Sequence, residues 1–208
     1  MTKRARSSGR WLQRQDKDVY VERAAREGFR SRAAYKLDEI QAKERLLTPG
    51  TLCVDLGASP GSWSQLAARR VGPKGAVWAI DLLPMDPIPG VEFVQGDFTD
   101  AATAAAFLEL LGGRQVDLVM SDMAPNISGN RAVDQPRSIA LAEHALEFAR
   151  TVLRPGGSLL IKLFQGAGVD DFVEDLRTSF ATVRTLKPRA SRAESREIYV
   201  LARNYAMV

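Results

Sequence analysis

The most constraining feature of the chain is an alternation. Short apolar runs at 51–56 (TLCVDL), 76–81 (AVWAID), 91–97 (VEFVQGD), 116–122 (VDLVMSD) and 158–164 (SLLIKLF) read as strands. Between and around them, 31–46, 62–71, 101–112, 135–152 and 169–180 carry helical patterns. Strands buried on both faces and separated by helix-length segments define βαβ units. The expected fold class is therefore α/β, a Rossmann-like, doubly wound, mostly parallel sheet with helices on both faces. Near the end the pattern changes: 180–188 and 197–205 read as two strands without a helix between them. An antiparallel strand pair is expected to close the sheet. At 208 residues the chain is long enough for one such domain with an appendage.

The helix at 31–46 is expected to start on Ser31 as its cap and to stop at Pro49-Gly50. Upstream, residues 1–30 are polar and basic, with few apolar anchors. Residues 1–36 hold 11 Lys/Arg against 4 Asp/Glu, a balance of +7, whereas the whole chain carries only +4. The body beyond residue 36 is therefore slightly acidic. A basic end on such a body favours a polyanion, nucleic acid first. The expected organisation is a basic, nucleic-acid-binding arm at 1–30 and an α/β domain at 31–208.

Several function classes fall away early. One cysteine, Cys53, permits no internal disulfide, and one histidine, His144, leaves no ligand set for a zinc site of several Cys and His. His144 lies in a helical pattern, AEHALEFA, and reads as a surface or half-buried residue rather than a triad base. No run approaches the ~18 apolar residues of a membrane span, and the N-terminus has no apolar core of a secretory signal. A cytoplasmic protein without a membrane partner, and monomeric by default, is expected.

The first strand runs into GASPGSWSQ, a glycine-bearing turn followed by a helix. That arrangement cradles nucleotide cofactors in doubly wound sheets. Gly57 and Gly61 are spaced G-x-x-x-G, without the dinucleotide fingerprint or the Lys-Ser/Thr of a P-loop. A nicotinamide oxidoreductase is thereby disfavoured. Asp55, just before the turn, would repel a pyrophosphate and welcome a cation. S-adenosylmethionine, with its sulfonium and ammonium, fits. Asp81 ends the second strand, about 20 residues past Gly61, where an acid holds ribose hydroxyls. Asp97, after the third strand, stands where an acid can accept from an adenine amino group.

The fourth strand ends in Ser121-Asp122-Met123-Ala124-Pro125-Asn126, at the position that faces the reacting group. No aromatic residue follows to stack on a flipped base. Lys162 interrupts the apolar run of the fifth strand, where a lysine is costly unless paired or functional. Lys36 and Glu197 complete the set of notable polar residues.

The segments SRAAYKL, DLGASPGSWSQ, SDMAPN, IKLFQG and SRAESREIYVL resemble the FtsJ family of ribose 2′-O-methyltransferases, from about Ser31 to the last strand. The resemblance implies the fold of class I S-adenosylmethionine-dependent methyltransferases. It implies a catalytic set of Lys36, Asp122, Lys162 and Glu197, with Lys162 as proton acceptor. It also implies cofactor contacts at Gly61, Trp63, Asp81, Asp97 and Asp122. In the bacterial ribosomal branch the substrate is a uridine of 23S ribosomal RNA, in the A-loop of the peptidyl transferase centre, presented on the 50S ribosomal subunit. Other branches act on transfer RNA, messenger RNA caps or eukaryotic ribosomal RNA. A non-catalytic RNA-binding assembly factor with the same fold is a further alternative, one with no use for Lys162. Arg23, Arg26, Arg30 and Arg32, near Lys36, form an expected phosphate track, with Arg192 and Arg196 in a second basic run beside Glu197.

Overall fold

The alternation becomes one seven-stranded sheet in the order β3-β2-β1-β4-β5-β7-β6. The computed structural model describes residues 18–192 and 194–206. Its elements are α1 (Val19–Glu27), α2 (Ala34–Glu44), β1 (Leu52–Leu56), α3 (Ser62–Val71), β2 (Ala76–Asp81), β3 (Val91–Gln95) and α4 (Ala101–Leu111). There follow β4 (Val116–Ser121), α5 (Arg131–Val152), β5 (Leu153–Phe164), α6 (Val169–Ser179), β6 (Phe180–Leu186) and β7 (Glu197–Tyr205). Strands β1 to β5 pair in parallel, and β7 inserts antiparallel between β5 and β6.

Residue parity sorts the side chains onto two faces. Val54, Leu56, Val119, Leu159, Ile161, Val200 and Ala202 pack with α4, α5 and α6. Cys53, Leu118, Met120, Leu160, Tyr199 and Leu201 face α2 and α3, where they meet Leu37, Ile40, Trp63 and Leu66. Asp55, Lys162, Glu197 and Tyr199 share the parity of the second set. The polar residues singled out in the sequence therefore lie on one face and crowd toward the carboxyl ends of the parallel strands. That is where doubly wound sheets bind ligands.

Two local features differ from the sequence reading. Ser31 does not cap α2: Ala33 holds the cap position without a side-chain bond, while Ser31 Oγ shares a 2.6 Å hydrogen bond with Ser62 Oγ. And 19–27, within the basic stretch, is a helix. Asp18 caps it by accepting from the Tyr20 amide, and Gly28 ends it in the left-handed conformation. Its apolar side is small: Ala24 and Tyr20 pack on Tyr35, Phe29 and Ala190. Residues 1–17, the remainder of the expected arm, lie outside the described residues.

Candidate active site

Three of the four expected catalytic residues meet at one end of adjacent strands: Asp122 follows β4, Lys162 lies two residues before the end of β5 and Glu197 begins β7, while α2 carries the fourth, Lys36. Lys162 Nζ lies 3.0 Å from Asp122 Oδ1 and 4.0 Å from Glu197 Oε2. Lys36 Nζ lies 2.9 Å from Glu197 Oε2 and 3.7 Å from Asp122 Oδ2. Two cations and two carboxylates thus alternate in a closed ring. Lys162, with its side chain 7% exposed, also donates to the Asp122 carbonyl. A buried charge stripped of partners is costly, and here each charge has two opposite neighbours.

Two residues that sequence reading did not select complete the ring. Tyr199 stands opposite Lys162 in the β5–β7 pairing, and its hydroxyl donates to Asp122 Oδ1 at 2.6 Å and lies 3.4 Å from Glu197 Oε1. Ser191 donates to Glu197 Oε1 at 2.8 Å. Burial, and then the charges of Asp122 and Glu197, hold the Tyr199 phenol well above its ordinary value, so it stays a donor. For Glu197, burial pushes upward, but the charge and hydrogen bond of Lys36, with Lys162 and Ser191, outweigh it. The carboxyl sits below the usual range and remains ionised at neutral pH. Parity could have flagged Tyr199: it is two residues from Glu197 on the same face of β7.

The glycine turn borders this ring. A narrow pocket between them is lined by Asp55, Gly57, Ser59, Trp63 and Asp122, with Ser31 and Ala33 on the α2 side. Gly57 (φ 74°) and Gly61 (φ 107°) both adopt left-handed backbone, which favours glycine. A Cβ on Gly57 would come within 2.0 Å of Met123 Cγ, so the turn is closely overlaid. Trp63 is buried, donates from Nε1 to the Ala33 carbonyl at 2.9 Å and packs on Tyr199 at 5.7 Å between centroids.

The acids divide by environment. Asp55 is 1% exposed and accepts from Ser64 Oγ at 2.6 Å. Burial pushes its carboxyl up to about 7, against the Ser64 bond and with help from the charges of Asp122 and Asp81. Asp81 accepts from the Ser59 amide at 2.8 Å and the Leu83 amide at 2.7 Å, which ties β2 to the glycine turn. Each of its oxygens keeps a further lone pair for a hydroxyl donor. Asp97 accepts from the amide and hydroxyl of Thr99 through Oδ1. Acidic residues at successive strand ends, beside a tightly overlaid glycine turn, fit a cofactor that is cationic at one end and rich in hydroxyls at the other.

The arginines divide by the partners they hold. Arg30 donates to the carbonyls of Pro60 (3.0 Å), Asp86 (2.7 Å) and Pro87 (2.9 Å), and so clamps the 84–88 segment onto the glycine turn. Arg32 pairs with Asp18 at 2.5 Å and donates to the Ala190 carbonyl at 2.6 Å. Arg192 lies 3.7 Å from Asp18, and Arg196 is held by Gln135 and the Gln165 carbonyl. Arg30 and Arg32 thus brace the protein through these bonds, while Arg32 Nε has no hydrogen-bond partner among the described residues. Arg23 and Arg26 stay exposed on α1, although Arg23 also pairs with Glu27.

A mostly parallel α/β sheet with its polar cluster at the strand ends defines a class I methyltransferase fold. A methyltransferase from Streptococcus mutans solved in complex with SAH shares that fold at TM-score 0.51 and 15% identity, over 76% of this chain and 89% of that one. The FtsJ-like methyltransferase family model matches residues 29–205, and the chain belongs to this family. It is 57% identical to ribosomal RNA large subunit methyltransferase E of Alkalilimnicola ehrlichii, over 99% of this chain and 98% of the relative. The enzyme of the same name from Chromobacterium violaceum is 54% identical over 96% and 98%. A solved ribosomal RNA methyltransferase from Plasmodium falciparum aligns at TM-score 0.78 and 32% identity, over 85% of this chain and 98% of that one.

Proposed function

We propose that this chain transfers a methyl group from S-adenosylmethionine to a ribose 2′-hydroxyl of 23S ribosomal RNA, at a uridine in the A-loop, on the assembled 50S subunit. The observation that carries this reading is the ring of Lys36, Asp122, Lys162 and Glu197, closed by contacts of 2.9–4.0 Å beside the glycine turn. The near-full-length relatives named for large-subunit ribosomal RNA support it.

A ribose hydroxyl is a weak nucleophile, so the protein must orient it and take its proton. S-adenosylmethionine supplies a methyl already activated on a sulfonium, and Asp55, Gly57, Gly61, Trp63, Asp81, Asp97 and Asp122 would hold it. Lys162 Nζ, next to Asp122 and facing the pocket side of the sheet, accepts the hydroxyl proton. Lys36 keeps Glu197 ionised, and Glu197 with Tyr199 fixes the geometry of Asp122 and both lysines. The basic residues 1–17, with Arg23 and Arg26 on α1, supply phosphate contacts.

The test is methyl transfer from labelled cofactor to 50S subunits, free ribosomal RNA and transfer RNA, with the modified nucleotide identified. A 2′-O-methyluridine in the large-subunit RNA, formed best on subunits, is expected. Transfer to transfer RNA alone, or binding of RNA without transfer, overturns the reading.

A further inference from the structure

Next to the ring the structure holds a second cavity of about 190 Å3, with Ile127, Asp134, Gln135, Phe164 and Arg196 among its walls. Phe164 pairs directly with Glu197 and follows Lys162 by two residues on β5. It therefore lies on the same face as both, about 7 Å along the strand from Lys162. Phe164 is only half-buried and belongs to neither large apolar cluster, and Ile127 is 64% exposed. These apolar groups line a space rather than a core.

The walls are fixed by hydrogen bonds. Gln135 Nε2 donates to the carbonyls of Phe164 (2.9 Å) and Ala167 (3.0 Å), and its Oε1 accepts from Arg196 at 2.9 Å. Asp134 accepts from the Ser128 amide at 2.8 Å and the Gly129 amide at 3.0 Å, which holds the loop that carries Ile127. Arg196 Nη1 has no hydrogen-bond partner among the described residues. An aromatic ring, an aliphatic side chain and a guanidinium around one slot suit a flat heteroaromatic ligand. The volume is below the ~300–1,000 Å3 of sites for drug-sized ligands, so it suits one base rather than a nucleotide.

In a nucleotide the 2′-hydroxyl and the base sit on adjacent ribose carbons. A ribose held at the ring must therefore place its own base within a short reach of Lys162 and Glu197. We propose that this cavity seats the base of the target nucleotide, stacked on Phe164 and contacted by Arg196. This rests on the ribose-methylation reading and adds where the substrate's base is held.

The full-length protein is assayed on large-subunit RNA, free and in subunits, with either the normal target nucleotide or an abasic ribose at that position. Loss of a base stack is expected to lower kcat/KM for RNA by roughly 5- to 150-fold. The wild type shows that loss on the abasic substrate, and Phe164→Ala shows it on the normal one. Phe164→Trp retains activity, and Phe164→Ala falls no further on the abasic RNA. KM for S-adenosylmethionine is unchanged throughout. Equal wild-type rates on abasic and normal RNA overturn the proposal, and this comparison stands even if Phe164→Ala fails to fold. Wild-type transfer to no base-bearing RNA overturns the ribose reading and this one together.

Discussion

Tyr199 donates its hydroxyl to Asp122 across the sheet at 2.6 Å, from β7 to the end of β4. Its neighbour Lys162 reaches the same carboxylate oxygen at 3.0 Å. One oxygen of Asp122 is thus fixed from two directions. Tyr199→Phe keeps the ring packed on Trp63 and removes only the hydroxyl. We expect a loss of about 1–3 kcal/mol in stability, the usual effect of deleting a hydrogen bond to a charged group. Methyl transfer should fall by at least several-fold with cofactor affinity retained. Thermal unfolding, calorimetry and a transfer assay check the three parts. Unchanged transfer would show that the tyrosine plays no part in orienting Asp122.

Lys162 is proposed to accept the proton, so its amine must be neutral when the hydroxyl attacks. Lys162→Ala should lower transfer by about 100-fold or more, the range of positioned acid–base groups. Calorimetry should show S-adenosylmethionine binding retained in Lys162→Ala, and undiminished methyl transfer by this variant would leave the lysine without a role in the reaction.

Asp55 predicts a pH effect of a particular sign. Its folded value of about 7 lies above the ordinary 3.8. Between these two pH values the folded state holds the proton that the unfolded state has released. Stability therefore falls as pH rises through this window, then levels off. Asp55→Asn should flatten that slope in pH-dependent denaturation. A cationic cofactor favours the ionised form, so its binding near pH 7 should release a fraction of a proton. Calorimetry in buffers of different ionisation enthalpy measures this, and Asp55→Asn should abolish it. Glu197 works in the opposite sense: its lowered value adds stability above the unfolded value, which is lost in acid as the carboxyl is protonated.

The arginines predict a split between cofactor and RNA effects. Arg30→Ala frees the 84–88 segment from the glycine turn and should weaken S-adenosylmethionine binding several-fold. It should leave the salt dependence of RNA binding unchanged. Arg26→Ala should do the reverse, and reduce the salt slope by about one counterion. A reduced slope for Arg30→Ala would return that residue to phosphate contact.

Removal of residues 1–17 tests the arm without cutting into α1. This segment has 6 Lys/Arg and 1 Asp. The truncated protein should melt as the full chain does, bind RNA less tightly and show a shallower salt slope. Because Tyr20, Ala24 and Arg32–Asp18 tie α1 to α2 and to the 190 region, a cut at 28 should cost stability as well. Equal RNA affinity and salt slope after the shorter cut would leave the arm without a role.

The fold class and the site face were legible because strands buried on both sides announce themselves as apolar runs, and parity then places Asp55, Lys162 and Glu197 together. The hairpin-like ending was legible from two runs without an intervening helix, although not that β7 lies inside β6. Helix α1 was missed since VYVERAARE buries only Ala24 and leaves Tyr20 and Val21 half-buried. Its signals were the flanking caps, Asp18 and Gly28. The bracing bonds of the arginines were not legible for a different reason. Charge is visible in sequence, but whether a guanidinium already serves backbone carbonyls is a property of three-dimensional neighbours. Arg30 meets the 86–87 carbonyls more than fifty positions away.

Strand β7 lies between β5 and β6, and so Glu197 reaches Lys36 from 161 positions later in the chain. The ring has no local precursor: neither the amino-terminal helices nor the five parallel strands contain it alone. It comes into being only when the last strand slides in between two others, a long-range closure that topology makes slow relative to local helix formation. Competence to react is therefore tied to the completion of folding, and a partly folded molecule has no centre with which to modify what it touches.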